Sequence, residues 1–185
     1  TLHFYRAYCQ WLGGMGIIVL SLAILIRPGK AAFKLYSTEF GQENILGSVE
    51  STAKVVINIY LTLTAVGFVS FVLSGMGLFD GLIHILTTIP TGGFSYFSES
   101  IGYYNSPLIS VTVTIFMIFG AISFPLYYIS VKEGISKFFK DEQVKFLLIL
   151  ILIGTLIFAL SFGFSFKSIV PGLFQTATAI TTTGF

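Results

Sequence analysis

GLIHILTTIPTGGF at residues 81–94 is matched by GLFQTATAITTTGF at residues 172–185. At an offset of 91 residues, seven of the fourteen positions are identical, including the closing Gly-Phe pair of both stretches. Each copy begins with a short apolar segment, 81–89 or 172–180, and then changes to threonine and glycine. The repeat predicts two short helices, each followed by a loop of the same construction.

The composition of the whole chain is typical of a membrane protein. Of its 185 residues, 55% are hydrophobic and 10% are charged, whereas soluble domains contain about 25% charged residues. A helix needs about 20 apolar residues to cross the hydrocarbon core of a bilayer. The long uncharged runs predict four membrane spans, at 7–27, 55–79, 107–131 and 146–166.

The apolar segments of the repeat are too short to be further spans. As a helix, residues 81–89 would rise about 13 Å, which is less than half of the hydrocarbon thickness. We therefore expect re-entrant half-helices that enter and leave the membrane on one side. The same offset places the start of span 55–79 on the start of span 146–166. The predicted unit is a membrane helix, a pore helix, a Thr/Gly loop and a second membrane helix.

This unit divides the chain into five segments. Residues 1–27 hold the last helix of a first unit, 28–54 form a linker, 55–131 form a complete second unit, 132–145 form another linker, and 146–185 hold the first helix, pore helix and loop of a third unit. Eight of the ten Lys and Arg residues lie in or beside the two linkers. This bias predicts that the linkers are cytoplasmic and the re-entrant segments outer. Linker 28–54 is compatible with a surface amphipathic helix and equally with a solvated loop.

The Thr/Gly loops have the chemistry of a cation site built from main chain. A loop at the C-terminal end of a half-helix offers backbone carbonyl oxygens, and the helix dipole adds the equivalent of about half an electron charge there. Several such loops around one axis can replace the hydration shell of a small cation. Gly93 and Gly184 fit backbone conformations that other residues resist. Phe94 and Phe185 are predicted to pack outward and brace the loops.

Several residues near the half-helices have more than one interpretation. Asp80 is expected to be the N-cap of the first half-helix, and Pro171 is expected near the start of the second. His84, which is aligned with Gln175, fits either a satisfied packing contact or a proton sensor. Glu99 either attracts cations to the outer mouth or is a solvated surface carboxylate.

Several classes of protein are excluded by what the sequence lacks. The net charge of +2 is too small and too dispersed for a nucleic-acid surface. Cys9 is the only cysteine, so neither a disulfide framework nor a cysteine metal site is expected. No common catalytic motif occurs, and His3 and His84 are far apart. We therefore do not expect an enzyme.

Four motifs resemble the Trk/Ktr/HKT superfamily of potassium transporters, in its bacterial Trk branch. They are WLGGMG at 11–16, IPTGGFS at 89–95, SIGYYNSP at 100–107 and TTTGF at 181–185. The resemblance extends over essentially the whole chain, and the two loop motifs are its specific part. The sequence departs from the commonest spelling of the loop in that family at Pro90 and Gly92.

The resemblance implies an all-α transmembrane protein with repeated helix–pore-helix–helix units around a pseudo-fourfold ion pore. It also implies a homodimer, a cytosolic nucleotide-binding regulatory subunit, and a multi-pass location in the bacterial inner membrane. Potassium is then the cargo held in the filter, and no organic cofactor is expected in this chain. Carried over by position, the ion-facing carbonyls belong to Thr91, Gly92, Gly93, Thr182, Thr183 and Gly184. Of these residues, Thr91, Gly92, Thr182 and Thr183 are the expected potassium ligands.

The resulting prediction is uptake of potassium through a channel-like filter of backbone carbonyls. The alternative is a secondary cation transporter coupled to sodium or protons through broken helices. The predicted spans hold no ionisable residue apart from their edges, which argues against a carboxylate proton relay. A non-conducting scaffold subunit is the third possibility, although a scaffold has no need of two Thr/Gly loops.

Overall fold

A computed structural model describes residues 2–25, 49–163 and 166–185 of the chain, and all regular elements in these ranges are helical. Eight α-helices are described: α1 (Leu2–Leu25), α2 (Val49–Leu73), α3 (Leu78–Thr88), α4 (Pro107–Ala121), α5 (Phe124–Glu133), α6 (Ile135–Lys140), α7 (Glu142–Ser161) and α8 (Phe166–Ile180). A short 3₁₀ helix at Ser100–Tyr104 lies between α3 and α4.

The two short helices of the repeat are held in equivalent surroundings. Helix α3 packs against α2, which precedes it in the chain, and against α1. Helix α8 packs against α7, which precedes it in the chain, and against α4. Each of the two short helices therefore lies against the helix that precedes it and against one earlier helix, so the packing of the two copies of the sequence repeat is similar.

The half-helices begin earlier than the sequence predicted. Helix α3 begins at Leu78 and its N-cap is Gly77, whose backbone is extended (φ −61°, ψ 153°). The expectation that Asp80 is the N-cap is therefore wrong, because Asp80 lies inside the first turn, where its charge still complements the helix dipole. Helix α8 begins at Phe166, so Pro171 lies inside the helix rather than at its start.

The predicted span 107–131 is two helices joined by a break. Ile122 and Ser123 have extended backbones between α4 and α5, and the hydroxyl of Tyr127 donates to the carbonyl of Phe119 across the break. The predicted linker 132–145 contains the short helix α6. Residues 28–48 of the other predicted linker (28–54) lie outside the described residues, and α2 begins at Val49.

Two described segments, Lys54–Leu73 and Glu142–Ser161, are long and apolar enough to cross a membrane. Helix α7 leaves a wide apolar surface uncovered within the described part of the chain. Its exposed residues include Phe146, Leu148, Ile149, Leu152, Ile153, Leu156, Ile157 and Leu160. Soluble monomers rarely expose an apolar patch of this extent, so lipid or further protein is its expected environment.

Candidate functional site: two loops that meet at the ends of the half-helices

The loop after α3, which we call loop A (residues 90–94), folds back on the last turn of its helix. The backbone N–H groups of Gly92 and Gly93 both donate to the carbonyl of Thr87, at 2.8 and 3.1 Å. Thr91 and Gly93 have positive φ angles of 54° and 59°. The hydroxyl of Thr87 donates to the carbonyl of Phe94 at 3.0 Å. The N–H groups of the loop therefore pair with carbonyl groups at the end of the helix that precedes it.

The loop after α8, which we call loop B (residues 181–185), repeats this geometry. Thr182 and Gly184, which align with Thr91 and Gly93, have positive φ angles of 57° and 79°. The N–H of Gly184 donates to the carbonyl of Thr178 at 3.3 Å, as Gly93 does to Thr87. The N–H of Thr182 donates to Ala179, and that of Thr91 donates to the aligned Thr88. A non-glycine residue with positive φ is uncommon, so its recurrence at both threonines marks a shared backbone design.

The structure brings the two loops into direct contact. A Cβ atom built on Gly93 would collide with the carbonyl oxygen of Thr183. Within the described part of the chain, no hydrogen bond is donated to five of the six predicted ion-facing carbonyls. These five belong to Thr91, Gly93, Thr182, Thr183 and Gly184. The carbonyl oxygen of Thr183, which is one of the five, thus lies against loop A. Both loops follow the C-terminal ends of their helices, which are the negative ends of the helix dipoles.

The sixth predicted carbonyl has a partner on α1. The side-chain amide of Gln10 donates from Nε2 to the carbonyl oxygen of Gly92 at 3.3 Å. A Cβ on Gly14, one turn further along α1, would lie 2.5 Å from Cβ of Pro90. Helix α1 therefore touches loop A along one face, and Gly14 is the residue that permits the close approach.

The predicted bracing phenylalanines contact different parts of the chain. The guanidinium carbon of Arg6 lies 4.3 Å from the ring centre of Phe94, a distance at which a cation is attracted by the ring face. The ring of His3 stacks beside Phe94 and beside Tyr96, with centroid separations of 6.2 and 5.1 Å. Phe185 packs instead against His84, at 6.1 Å between ring centroids, and its N–H donates to the hydroxyl of Thr178.

A polar contact ties the segment after loop A to the start of α3. The hydroxyl of Tyr96 donates to the carboxylate of Asp80. Burial, together with this carboxylate, raises the pKa of Tyr96 above its ordinary value of 10.0. Tyr96 is therefore a hydrogen-bond donor at any physiological pH, and the pair holds the segment after loop A against the start of α3.

A cavity of about 520 Å³ opens beside loop B on the same side as the 3₁₀ helix. Its polar lining includes Glu99, Asn105, Ser110 and Gln175, and Phe185 forms part of its wall. Among the described residues, no group of three or more His, Cys, Asp or Glu side chains is placed to hold a metal ion.

Two features of the site were beyond sequence reasoning. Gln10 is 82 residues from Gly92, and nothing in its local pattern distinguishes it from other polar residues at a helix surface. The close approach of Gly120 on α4 to the carbonyl of Ile89 is likewise a contact between residues that are far apart in the sequence. His84 differs from the aligned Gln175 in an otherwise similar repeat, and this difference was the feature of the sequence that pointed to His84.

The chain is similar to known proteins along its whole length. The family model of TrkH cation transport proteins matches residues 1–185. The chain is 33% identical to a Trk system potassium uptake protein of Halomonas elongata and 36% identical to an uncharacterized cation transporter of Methanocaldococcus jannaschii. Each alignment covers 98% of this chain, and 40% and 37% of the respective relatives.

A solved structure has the same architecture. The crystal structure of the potassium transporter TrkH from Vibrio parahaemolyticus matches with a TM-score of 0.79 and 33% identity, over all of this chain and 39% of that one. The chain thus spans about two fifths of the length of the relatives it matches. The relatives are named as transport proteins rather than enzymes. The chain belongs to the TrkH family of cation transport proteins.

Proposed function

We propose that this chain forms part of the conduction pathway of a potassium transporter, with loops A and B as two of its filter loops. One observation carries the proposal: two loops of matching backbone conformation touch each other and leave five carbonyl oxygens unpaired. The relatives named as potassium uptake proteins support potassium as the cargo. The protein is then a transporter of the plasma membrane, and in a bacterium of the inner membrane.

The packing of the half-helices supports a rotational arrangement of units. Each half-helix lies between its own first helix and the last helix of the preceding unit. Repeating this relationship carries one unit onto the next around a common axis. We propose four such units around a pseudo-fourfold pore, of which this chain contributes the segments 1–27, 55–131 and 146–185. The remaining two loops belong to parts of the whole protein outside this chain.

The chemistry of the proposed filter follows from its main chain. A potassium ion that loses its water needs oxygen ligands from several directions, and carbonyls of Thr91, Gly93, Thr182, Thr183 and Gly184 are free to supply them. The carbonyl of Gly92 already accepts from Gln10, so it is the weakest candidate among the expected ligands. The negative ends of α3 and α8 add favourable potential for a cation without placing a carboxylate in the path.

The proposed partners follow from the relatives rather than from a surface of this chain. Those relatives are named as components of a Trk uptake system. We propose a homodimer in the bilayer, regulated by a cytosolic nucleotide-binding subunit of such a system. The charged linker with Lys137 and Lys140 in α6 lies on the side predicted to face that subunit.

The test is ion flux through the whole protein, reconstituted in proteoliposomes. Uptake of radiolabelled rubidium, a potassium substitute, is compared with uptake of sodium. We expect rubidium uptake by the wild type and its loss in Gly184→Asp, which places a carboxylate and a side chain in loop B. Gly102→Asp is the control, because Gly102 is exposed in the outer 3₁₀ helix and a Cβ there meets no atom closer than 3.9 Å. Unchanged uptake in Gly184→Asp would remove loop B from the pathway.

A further inference from the structure

His84 is a fully buried polar residue at the meeting point of loops A and B. Its exposed fraction is 0%, although it lies in a half-helix beside the predicted ion path. Its ring contacts Tyr96, Phe97 and Tyr104 from the segment after loop A, with centroid separations of 5.8 to 6.2 Å. A buried ring with two nitrogen atoms is costly unless both are paired.

The hydrogen bonds of His84 define which nitrogen carries the proton. Nδ1 lies 2.8 Å from the carbonyl oxygen of Asp80, and a carbonyl can only accept, so Nδ1 is the donor. In the neutral ring Nε2 is then an acceptor, and it lies 3.1 Å from the hydroxyl of Ser95. Ser95 donates to Nε2 and accepts from the N–H of Phe97 at 3.2 Å. Both ring nitrogens of His84 and the hydroxyl of Ser95 are paired in this one arrangement.

The same ring reaches the other loop. Phe185, the last residue of loop B, packs against His84 at 6.1 Å between ring centroids. Ser95 directly follows loop A, so the imidazole is in contact with the exits of both loops. In the second copy of the repeat, the aligned residue is Gln175, which is exposed and lines the outer cavity. Of the two half-helices in the described chain, one therefore carries a buried side chain that contacts the exits of both loops.

We propose that His84 is a positioning residue that fixes the position of loop A relative to loop B at the outer mouth. It does so by accepting a hydrogen bond from the Ser95 hydroxyl and by packing against Phe185. The proposal rests on the proposed function, because it assigns to His84 the geometry on which ion preference depends. Small displacements of coordinating oxygens change the match between a filter and its ion. Loss of these contacts of His84 should therefore change the preference for potassium over sodium more than it changes the total flux.

The experiment uses the whole protein in proteoliposomes and measures the ratio of initial rubidium to sodium uptake. His84→Leu removes the acceptor, and we expect about a tenfold fall in the ratio. His84→Gln retains an acceptor that can reach Ser95, and glutamine is the residue of the aligned position. We expect the ratio of His84→Gln to stay within about twofold of the wild type, which a purely space-filling role of histidine would not predict.

A second variant makes the test independent of the folding of His84→Leu. Ser95→Ala removes only the donor and should lower the ratio about fivefold, as expected for one hydrogen bond. Ser98→Ala is the matched control, since Ser98 is exposed in the same segment, and it should leave the ratio unchanged. Phe185→Ala should lower the ratio in the wild-type background. In a His84→Gln/Ser95→Ala background it should change the ratio little further, because the His84–Ser95 and His84–Phe185 contacts act together.

The outcomes separate this proposal from the proposed function. A wild-type protein without rubidium uptake would contradict the proposed function itself. Rubidium uptake with a wild-type ratio in Ser95→Ala would overturn the role of His84 and leave the filter loops standing. An equal fall of the ratio in Ser95→Ala and Ser98→Ala would also overturn it, since the effect would then be one of the segment and not of the hydrogen bond.

Discussion

The Cα atom of Gly93 lies against the carbonyl oxygen of Thr183, so closely that any side chain at position 93 would overlap it. The two residues come from different copies of the repeat and are 90 positions apart in the chain. Gly93 also has a φ of 59°, which disfavours a residue with a Cβ for a second, independent reason. Space and backbone conformation thus both select glycine at the junction of loops A and B.

The first prediction concerns this junction. Gly93→Ser should shift ion preference toward sodium, with at least a tenfold fall in the ratio of rubidium to sodium uptake, because the new side chain displaces the carbonyl of Thr183. Gly92→Ser is the matched comparison, since a Cβ on Gly92 meets only the movable side chain of Gln10. Its effect should be several times smaller. An unaltered preference in Gly93→Ser would show that loop A is outside the ion path.

A second prediction tests the contact between α1 and loop A. Gln10→Met keeps the size of the side chain and removes the donor to Gly92. Because one hydrogen bond is worth about 1 kcal/mol, we expect a change of about fivefold in the rubidium-to-sodium ratio. Gln10→Glu should have a larger effect, since a carboxylate beside a carbonyl oxygen is repulsive. Equal behaviour of Gln10→Met and the wild type would mean that this contact does not shape the loop.

The glycines of α1 allow a third prediction, on stability. In Gly14→Ala the new methyl group would overlap Pro90, and we expect a loss of about 1–3 kcal/mol from overpacking. In Gly13→Ala a Cβ meets no atom of the described chain within 4 Å, and alanine favours the helix by about 1 kcal/mol. Thermal denaturation of the two purified variants should therefore move in opposite directions. A shared direction would contradict the close packing of α1 on loop A.

A fourth prediction uses Gly120 of α4. A Cβ there would lie 2.5 Å from the carbonyl oxygen of Ile89, and a backbone atom at the end of α3 has little room to move. Gly120→Ala should lower stability by about 2–3 kcal/mol and reduce flux, because the displaced residue leads directly into loop A. Gly67→Ala is the control, since the overlap there is with the flexible end of Ile85. Similar losses in both variants would argue against a specific effect of the Ile89 carbonyl.

The fifth prediction concerns pH and the Tyr96–Asp80 pair. The raised pKa of Tyr96 means that the folded protein keeps the phenol proton at pH values where the unfolded chain, with a pKa of 10.0, loses it. The contribution of Tyr96 to stability is therefore complete below about pH 9 and declines as the pH rises above 10.

We expect Tyr96→Phe to be less stable than the wild type by about 1 kcal/mol at pH 8, with the difference shrinking above pH 10. Denaturation of both proteins across this pH range measures it. If the free energies of unfolding of the wild type and Tyr96→Phe differed by the same amount at all pH values, the raised pKa of Tyr96 would be contradicted.

Much of the fold could be predicted because it depends on which segments are apolar enough to enter lipid and on an internal repeat of the sequence. Uncharged runs predict the long helices, two of which are long and apolar enough to cross a membrane, and short apolar segments such as 81–89 are too short to span one. The ends of helices were less predictable. Asp80 is a good N-cap residue by type, yet the helix begins at Leu78, and the Asp80 carboxylate accepts from the distant Tyr96 instead.

The sequence by itself determined the membrane composition, the two copies of the Thr/Gly loop and the glycines that recur in them, since these are properties of local residue order. Only the tertiary structure decided that Gly93 meets Thr183, that Gln10 occupies the carbonyl of Gly92, and that His84 contacts both loop exits. The physical reason is distance along the chain. Contacts between residues 82 to 101 positions apart depend on how helices pack, and helix packing is set by the shapes of many side chains together rather than by any local pattern.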